Sequence, residues 1–198
     1  MMERKEGKRM ELFEAIRTRR SIGKVKPDPV PKEKIEKMLE AATWAPNHHR
    51  TEPWRFLVLT GEGRKRLGNV MMAVANEKNE ELSPAEKEEQ LRRELNKAFR
   101  APVVIVVVAS PADRPNVLEE EELAACHAAV QNMLLAAHAL GLGAVWRTGK
   151  AAYHPAARQE FALADHEKIV GFVYTGYPDL RPPAAKRTPF ADKTTWIG

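Results

Sequence analysis

Apolar positions along this chain follow two rhythms, the three-to-four spacing of a helix and the unbroken β-branched run of a buried strand. Met10–Arg20 puts Leu12, Phe13 and Ile16 on one helical face, and the stripe runs on into Arg19 and Arg20. Ser21, Ile22 and Gly23 stop it. Lys26-Pro-Asp-Pro-Val-Pro31 predicts an extended connector, because three prolines forbid a helix interior. A second helix opens at Pro31 or Lys32 and buries Ile35, Met38, Leu39 and Ala42. It ends at Ala45, because Pro46 pushes the residue before it out of the helical region. Phe56–Thr60 reads as a strand, Gly61–Gly63 as a turn, and Arg64–Glu77 as a helix with Leu67, Val70, Met71 and Val74 inside. Ser83-Pro84-Ala85-Glu86 is a capping box with proline at the first helical position, opening a water-facing helix that reaches about Phe99. Ala101–Ala109 is a continuous β-branched run, which predicts a central strand covered on both faces.

Glu119–Leu140 is the longest helix, alanine-rich enough for close packing and a dimer seam, and Gly141 and Gly143 stop it. Ala144–Thr148 is a strand leading to Gly149, His154-Pro155 starts a short helix with Phe161 and Leu163 inward, and Ile169–Thr175 is a further strand closed by Gly176-Tyr-Pro178. Residues 179–198 have no core of their own, so the tail with Phe190 and Trp196 is expected to wrap a second subunit. Residues 1–9 read as a disordered leader before a natural start near Met10. With neither repeat nor linker, 10–198 is one domain, an α+β layer of sheet and helices.

Composition narrows the function. Hydrophobic content of 43% over 198 residues suits one domain with a real core. The net charge of +5 is not organised as a basic run interleaved with aromatics, and the acidic stretches Glu77–Glu94 and Glu119–Glu122 interrupt any broad basic face. A chain that binds anionic nucleotides fits better than a nucleic-acid binder. One cysteine, Cys126, excludes a disulfide framework and a CxxC metal site. The longest apolar run, Val103–Ala109, is too short to span a bilayer, and Met1–Arg9 lacks the apolar core of a secretory signal, so the expected location is the cytoplasm.

The stretch Trp44-Ala-Pro-Asn-His-His-Arg-Thr-Glu-Pro-Trp54 carries the most chemistry. It reads equally as a ligand loop and as a helix-to-strand connection with a tryptophan anchor. Arg19-Arg-Ser21 suits a phosphate, although arginines in a last helical turn also complement the helix dipole. A nucleophilic triad has no support: Ser21 lacks the nucleophile-elbow context, and Cys126 and His127 are helix neighbours that point apart. No metal is expected, since His127 and His138 stand about three turns apart and no HExxH pattern occurs. What remains is a set of separated segments: Arg19-Arg-Ser21, the Trp44–Trp54 loop, Trp146-Arg-Thr-Gly149, and Lys186-Arg187 in the tail. A cofactor with a phosphate and a planar ring suits such parts, and the lack of a strong acid, base or nucleophile suits a site where the cofactor supplies the chemistry.

On these residues the chain resembles the nitroreductase family of FMN-dependent oxidoreductases. The ordered set is helix–Arg19-Arg-Ser21, Ala45-Pro with His48, Glu52-Pro-Trp-Arg-Phe56 before a strand, Phe99-Arg-Ala-Pro-Val103, Gly141-Leu-Gly-Ala-Val-Trp146 and Gly171-Phe-Val-Tyr-Thr-Gly-Tyr-Pro178. It covers nearly the whole chain from Met10 and is closest to a short, compact subgroup. The resemblance implies a sandwich with a central, mostly antiparallel sheet flanked by helices. It also implies an intertwined, obligate homodimer with two FMN sites at the interface. Arg19, Arg20 and Ser21 then match the segment on the FMN phosphate and ribityl chain, with Arg187 adding phosphate contact from the tail. Trp44 and His48 match positions reaching the flavin from the partner subunit, and Trp146, Arg147 and Thr148 the segment beside it. Ala136, Ala137, His138, Ala139, Leu140 and Gly141 match a stretch associated with the nicotinamide nucleotide.

Three positions depart from the family pattern: Gly23 where many members carry a cation, Glu52 for the usual Gln, and Arg50 for a frequent Asn. The activity implied is hydride transfer from NAD(P)H through FMN to a nitroaromatic, quinone or similar acceptor in a ping-pong cycle. Arg147 or Lys24 is the candidate for stabilising charge at the flavin. A flavin-binding or nucleotide-sensing module without turnover, and a specialised chemistry such as dehalogenation or flavin destruction, are the alternatives.

Overall fold

The computed structural model describes residues 10–77, 82–182 and 184–198; the expected leader 1–9 lies outside them. Four strands form one sheet in the order β1-β2-β4-β3, and every pairing is antiparallel. They are β1 (Trp54–Thr60), β2 (Val103–Ala109), β3 (Gly143–Arg147) and β4 (Lys168–Gly176). The valine-rich β2 lies inside the sheet and is buried along its whole length, as its unbroken apolar run predicts.

Alternation along β2 splits the core in two. Val103, Ile105, Val107 and Ala109 face helices α2 (Lys32–Thr43) and α5 (Glu119–Ala139), meeting Met38, Ala42, Cys126, Val130 and Met133. Val104, Val106 and Val108 face the other way, toward Leu67 and Val70 of α3 (Lys65–Asn76), Phe161 and Phe172. On that side lie also α4 (Pro84–Asn96), α6 (Lys150–Tyr153) and α7 (Pro155–Glu160). The Ser83 capping box forms with both of its bonds, and His154 caps α7, its Nδ1 accepting from the Ala156 N–H at 3.1 Å. The helix α6 has no counterpart in the periodicity, being a single turn of Lys-Ala-Ala-Tyr.

Two local features carry the site-bearing strand. The register between β2 and β4 shifts between Val107 and Val108, so Val170 is an extra residue. Its carbonyl accepts the Trp146 indole N–H at 3.2 Å. Gly171 is required beside it, because a Cβ there would stand 2.1 Å from Trp146 Nε1.

The first helix departs from its pattern. In α1 (Leu12–Thr18) only Ala15 is buried; Leu12, Phe13 and Ile16 are 61%, 75% and 49% exposed. The apolar stripe therefore faces outward, and nothing among the described residues covers it. The tail behaves alike, with Phe190, Trp196 and Ile197 at 77%, 88% and 94% exposure. Among the described residues no helix is long and apolar enough to cross a membrane.

Candidate functional site

The chain leaving α1 sets the first half of the site. The backbone of Ser21 pairs in parallel with Ala144, and the Ile22 N–H donates to the Ala144 carbonyl at 2.9 Å, so 21–22 lies along the outer edge of β3. Ile22 is buried there while Ser21 is exposed. This anchoring fixes Arg19 and Arg20 at the C-terminal end of α5, next to His138. Arg187 from the tail joins them.

This cluster asks for an anion. Burial first, then the charges of Arg20 and Arg187, lower the Arg19 pKa from its ordinary value. Arg20 spends one terminal nitrogen on the carbonyls of Arg17 and Arg19, at 2.7 and 2.8 Å, while its Nε is buried with no partner among the described residues. Among the described residues, no ion pair joins Arg19, Arg20 or Arg187 to a carboxylate. Native proteins rarely leave a buried donor unmet, and guanidinium forks match a phosphate best. The His138 pKa is lowered by burial, then by Arg19 and Arg20, against the pull of Glu14. The single proton of the Thr18 hydroxyl goes to the Glu14 carbonyl at 2.6 Å, so His138 Nε2 donates to Thr18 Oγ1 at 2.7 Å.

The rest of the stretch 136–141 presents no single face. Ala137 is fully buried, whereas Ala139 and Gly141 are open. The Leu140 carbonyl accepts from Lys34 Nζ at 2.9 Å.

At the end of β3 the side chains diverge. Trp146 turns to the α5 side, its ring 5.5 Å from that of His127. Arg147 turns to the opposite side and lies over Tyr174, 5.8 Å from the ring centroid. A Cβ on Gly23 would stand 2.9 Å from Arg147 Nη2, so the glycine leaves the space that this guanidinium fills. Lys24 is otherwise engaged, 3.3 Å from Asp179. Arg147, Thr148 and Gly149 border a cavity of about 350 Å³ that also takes in Lys97, Arg100 and Tyr174. Burial pushes the Tyr174 phenol up to about 12, against the pull of Arg147 and Arg100. Lys97 and Arg100 escaped the sequence reading because cations closing a solvated helix are ordinarily surface residues.

The Trp44–Trp54 loop stands at the other end of α5. Its two tryptophans part company: Trp54 is half-buried against the core, and Trp44 is 80% exposed. Between them the backbone turns sharply, with φ of +56°, +52° and +48° at His49, Arg50 and Glu52. Such values persist only where neighbours impose them. The neighbours are visible. Glu122 of α5, 1% exposed, accepts from Thr51 Oγ1 at 2.5 Å and from the Ala112 N–H at 3.2 Å. Asn47 Oδ1 accepts from the Glu52 N–H at 3.0 Å. His48 Nδ1 lies 2.5 Å from Glu121 Oε2. Glu121 and Glu122 gave no signal in the sequence, because acids in a first helical turn are the default complement of the helix dipole. Cys126 lies beneath the loop, its thiol pushed up to about 12 by burial and then by Glu122.

His48–Glu121 and His138 are thus separated by 17 residues of one helix, about 25 Å at its ordinary rise. The chain brings Arg19, Arg20, Arg187 and His138 together, but not with Trp44 and His48.

Comparison with known proteins places these features in context. Residues 16–177 match the model of the Nitroreductase family. The chain is 38% identical over 185 residues to the Bacillus subtilis protein named "Putative NAD(P)H nitroreductase YfhC", covering 93% of each. Its fold superposes on a nitroreductase-like family protein from Bacillus cereus with a TM-score of 0.81, at 30% identity and covering 97% and 98% of the two chains. A Desulfovibrio desulfuricans chain solved in complex with FMN gives a TM-score of 0.71 at 30% identity, covering 94% and 96%.

Proposed function

The chain belongs to the nitroreductase family, and from that premise we propose that it is an FMN-dependent NAD(P)H oxidoreductase acting on nitroaromatic, quinone or similar conjugated acceptors. The observation that carries the reading is the set of guanidiniums at Arg19, Arg20 and Arg187, with Arg20 Nε buried and unmet among the described residues. These groups fit the phosphate of FMN. FMN held there would supply the hydride chemistry between NAD(P)H and the acceptor. Arg19 and Arg20 would hold its phosphate, Trp146 and Thr148 would belong to the segment beside its ring, and the Arg147 guanidinium would stabilise negative charge developed on it. Arg147 suits that role better than Lys24, whose ammonium is paired with Asp179.

The site is completed by a second copy of the chain. Trp44 and His48 lie too far along α5 to share a flavin with Arg19 of their own chain. The outward faces of α1 and the tail supply apolar surface of the kind that marks an interface. In this reading the tail 179–198 wraps the partner. The two half-reactions use one pocket in turn, which gives ping-pong kinetics.

The test is the absorption spectrum of purified protein before and after NADPH or NADH without oxygen. Yellow flavin that bleaches is expected; flavin that stays oxidised with both nucleotides overturns the enzyme reading. Arg19→Ala is expected to purify colourless or to lose FMN on dilution. A charge-assisted phosphate bond is typically worth about 1.5–3 kcal/mol, a tenfold or larger loss of affinity.

A further inference from the structure

The Trp44–Trp54 loop is held twice, and only one of the two holds is needed to fix its backbone. Thr51 on Glu122, the Glu52 N–H on Asn47, and the Cys126 thiol on the Pro53 carbonyl at 3.5 Å secure the main chain through its left-handed residues. The contact of Glu121 with His48 secures nothing but an imidazole ring. That ring is 59% exposed and stacks on His49 with centroids 3.8 Å apart. An ionised carboxylate only accepts hydrogen bonds, so the Nδ1 facing Glu121 at 2.5 Å carries a proton. The other nitrogen, Nε2, has no hydrogen-bond partner among the described residues and is free to serve a ligand. An exposed histidine oriented by a carboxylate is the arrangement of a general acid or base.

We propose that His48 and Glu121 form a proton-delivering pair, in which the doubly protonated His48 ring gives the acceptor, from Nε2, the proton that must accompany each hydride and Glu121 orients the ring through Nδ1. The inference rests on the flavoenzyme reading above and adds to it a proton donor from this chain. The balance is one hydride and one proton per two-electron step. A quinone takes H⁻ and H⁺ to give the hydroquinone; a nitro group takes H⁻ and H⁺ to give the nitroso group and water. The N–H bond at Nε2 breaks, its electron pair stays on the imidazole, and the new O–H bond forms on the acceptor oxygen. The neutral imidazole keeps its Nδ1 proton on Glu121 and regains the other from solvent. Glu121 is a positioning residue; His48 is the catalytic one.

The test begins on protein without cofactor. Long-range proton–nitrogen NMR of the neutral histidine rings is expected to find His48 as the Nδ1–H tautomer, and Glu121→Ala, which leaves Nδ1 without its acceptor, to shift it toward the Nε2–H tautomer. The same tautomer in both proteins overturns the role of Glu121. With FMN bound, the readout is the ratio of quinone turnover to ferricyanide turnover, since ferricyanide takes single electrons and no proton. General acids typically contribute 100-fold or more, so a loss of orientation in Glu121→Ala is expected to lower the ratio about tenfold. His48→Ala is expected to lower it further, with recovery on adding imidazole. A ratio within twofold of the unmodified protein in Glu121→Ala overturns the proposal. Should His48→Ala release its cofactor, Glu121→Ala decides alone. Failure of the flavoenzyme reading itself is seen separately, as an unmodified protein that NAD(P)H does not bleach.

Discussion

The two ends of α5 are built on opposite principles. At its N-terminal end acidic side chains are satisfied: Glu122 by Thr51 and Ala112, Glu121 by His48, and Glu119 by Lys168. At its C-terminal end cations gather with no carboxylate ion-paired to them among the described residues, and Arg20 Nε is buried there without a partner among those residues. Both signs suit the helix dipole, so the dipole alone explains neither the satisfaction nor the want of it. Groups whose partners lie within the chain have been placed to hold a shape. Groups left unpaired hold an outline for something that arrives from outside. The histidines repeat the contrast, His48 donating from Nδ1 and His138 from Nε2.

The strongest way to break this comparison is to ask whether the two ends meet across a twofold axis. Arg19→Ala and His48→Ala damage opposite ends. Protomers carrying one change each, unfolded together and refolded, can form mixed dimers with one site free of both. Turnover of the mixture is expected to exceed the mean of the two parents. Turnover at that mean would mean that both residues serve the site of their own chain.

Next in size is Glu122→Ala. It strands Thr51 Oγ1 and the Ala112 N–H and loosens the loop through its left-handed residues. Denaturant unfolding is expected to show a loss of about 1–3 kcal/mol, the usual cost of an unmet buried group. No loss would mean that the loop is held without it.

Arg20→Met should act with the opposite sign on the cofactor-free chain. It removes a like charge from the Arg19–Arg187 cluster and a buried Nε with no acceptor among the described residues, gains that offset the lost Nη1 bonds to the Arg17 and Arg19 carbonyls. Stability is expected to hold or to rise by as much as about 1 kcal/mol in the same measurement, while FMN affinity falls. A large destabilisation would show that Arg20 is a structural residue.

The smallest effect is a pH dependence at His138. Its folded pKa lies below the ordinary 6.5. As pH falls through about 6.5, the unfolded chain therefore binds its proton first, and stability declines toward the lower folded value. His138→Gln is expected to flatten this limb of the stability–pH curve between about pH 7 and 5. Inorganic phosphate should flatten it too, by offsetting Arg19 and Arg20.

Local pattern carried most of the element order and part of the site. The unbroken valines of β2, the capping box at Ser83 and the glycine after α5 each act within a few residues, so each is readable where it stands. Arg19 and Arg20 beside Ser21 could be singled out as a phosphate candidate, with a helix-dipole role also open, and Arg187 took a phosphate role only through the family resemblance; that the three gather at one place was decided by the fold. Glu121 and Glu122 were not legible, since acids in a first helical turn look alike whether or not a loop from 71 residues away lands on them. Lys97 and Arg100 were silent for the same reason.

The order of helices and strands and the buried strand follow from local spacing alone, because helix and strand periods are properties of neighbouring residues, while the family was legible only as a resemblance in an ordered set of short segments. Which side α1 presents, which tautomer each histidine takes, and that Gly23 makes room for Arg147 were decided only in the folded chain. Those depend on groups far apart in sequence meeting in space. The apolar stripe of Leu12, Phe13 and Ile16 shows the division most plainly: its spacing makes a helix with one greasy face, and only packing decides whether that face meets the core or looks outward for another surface.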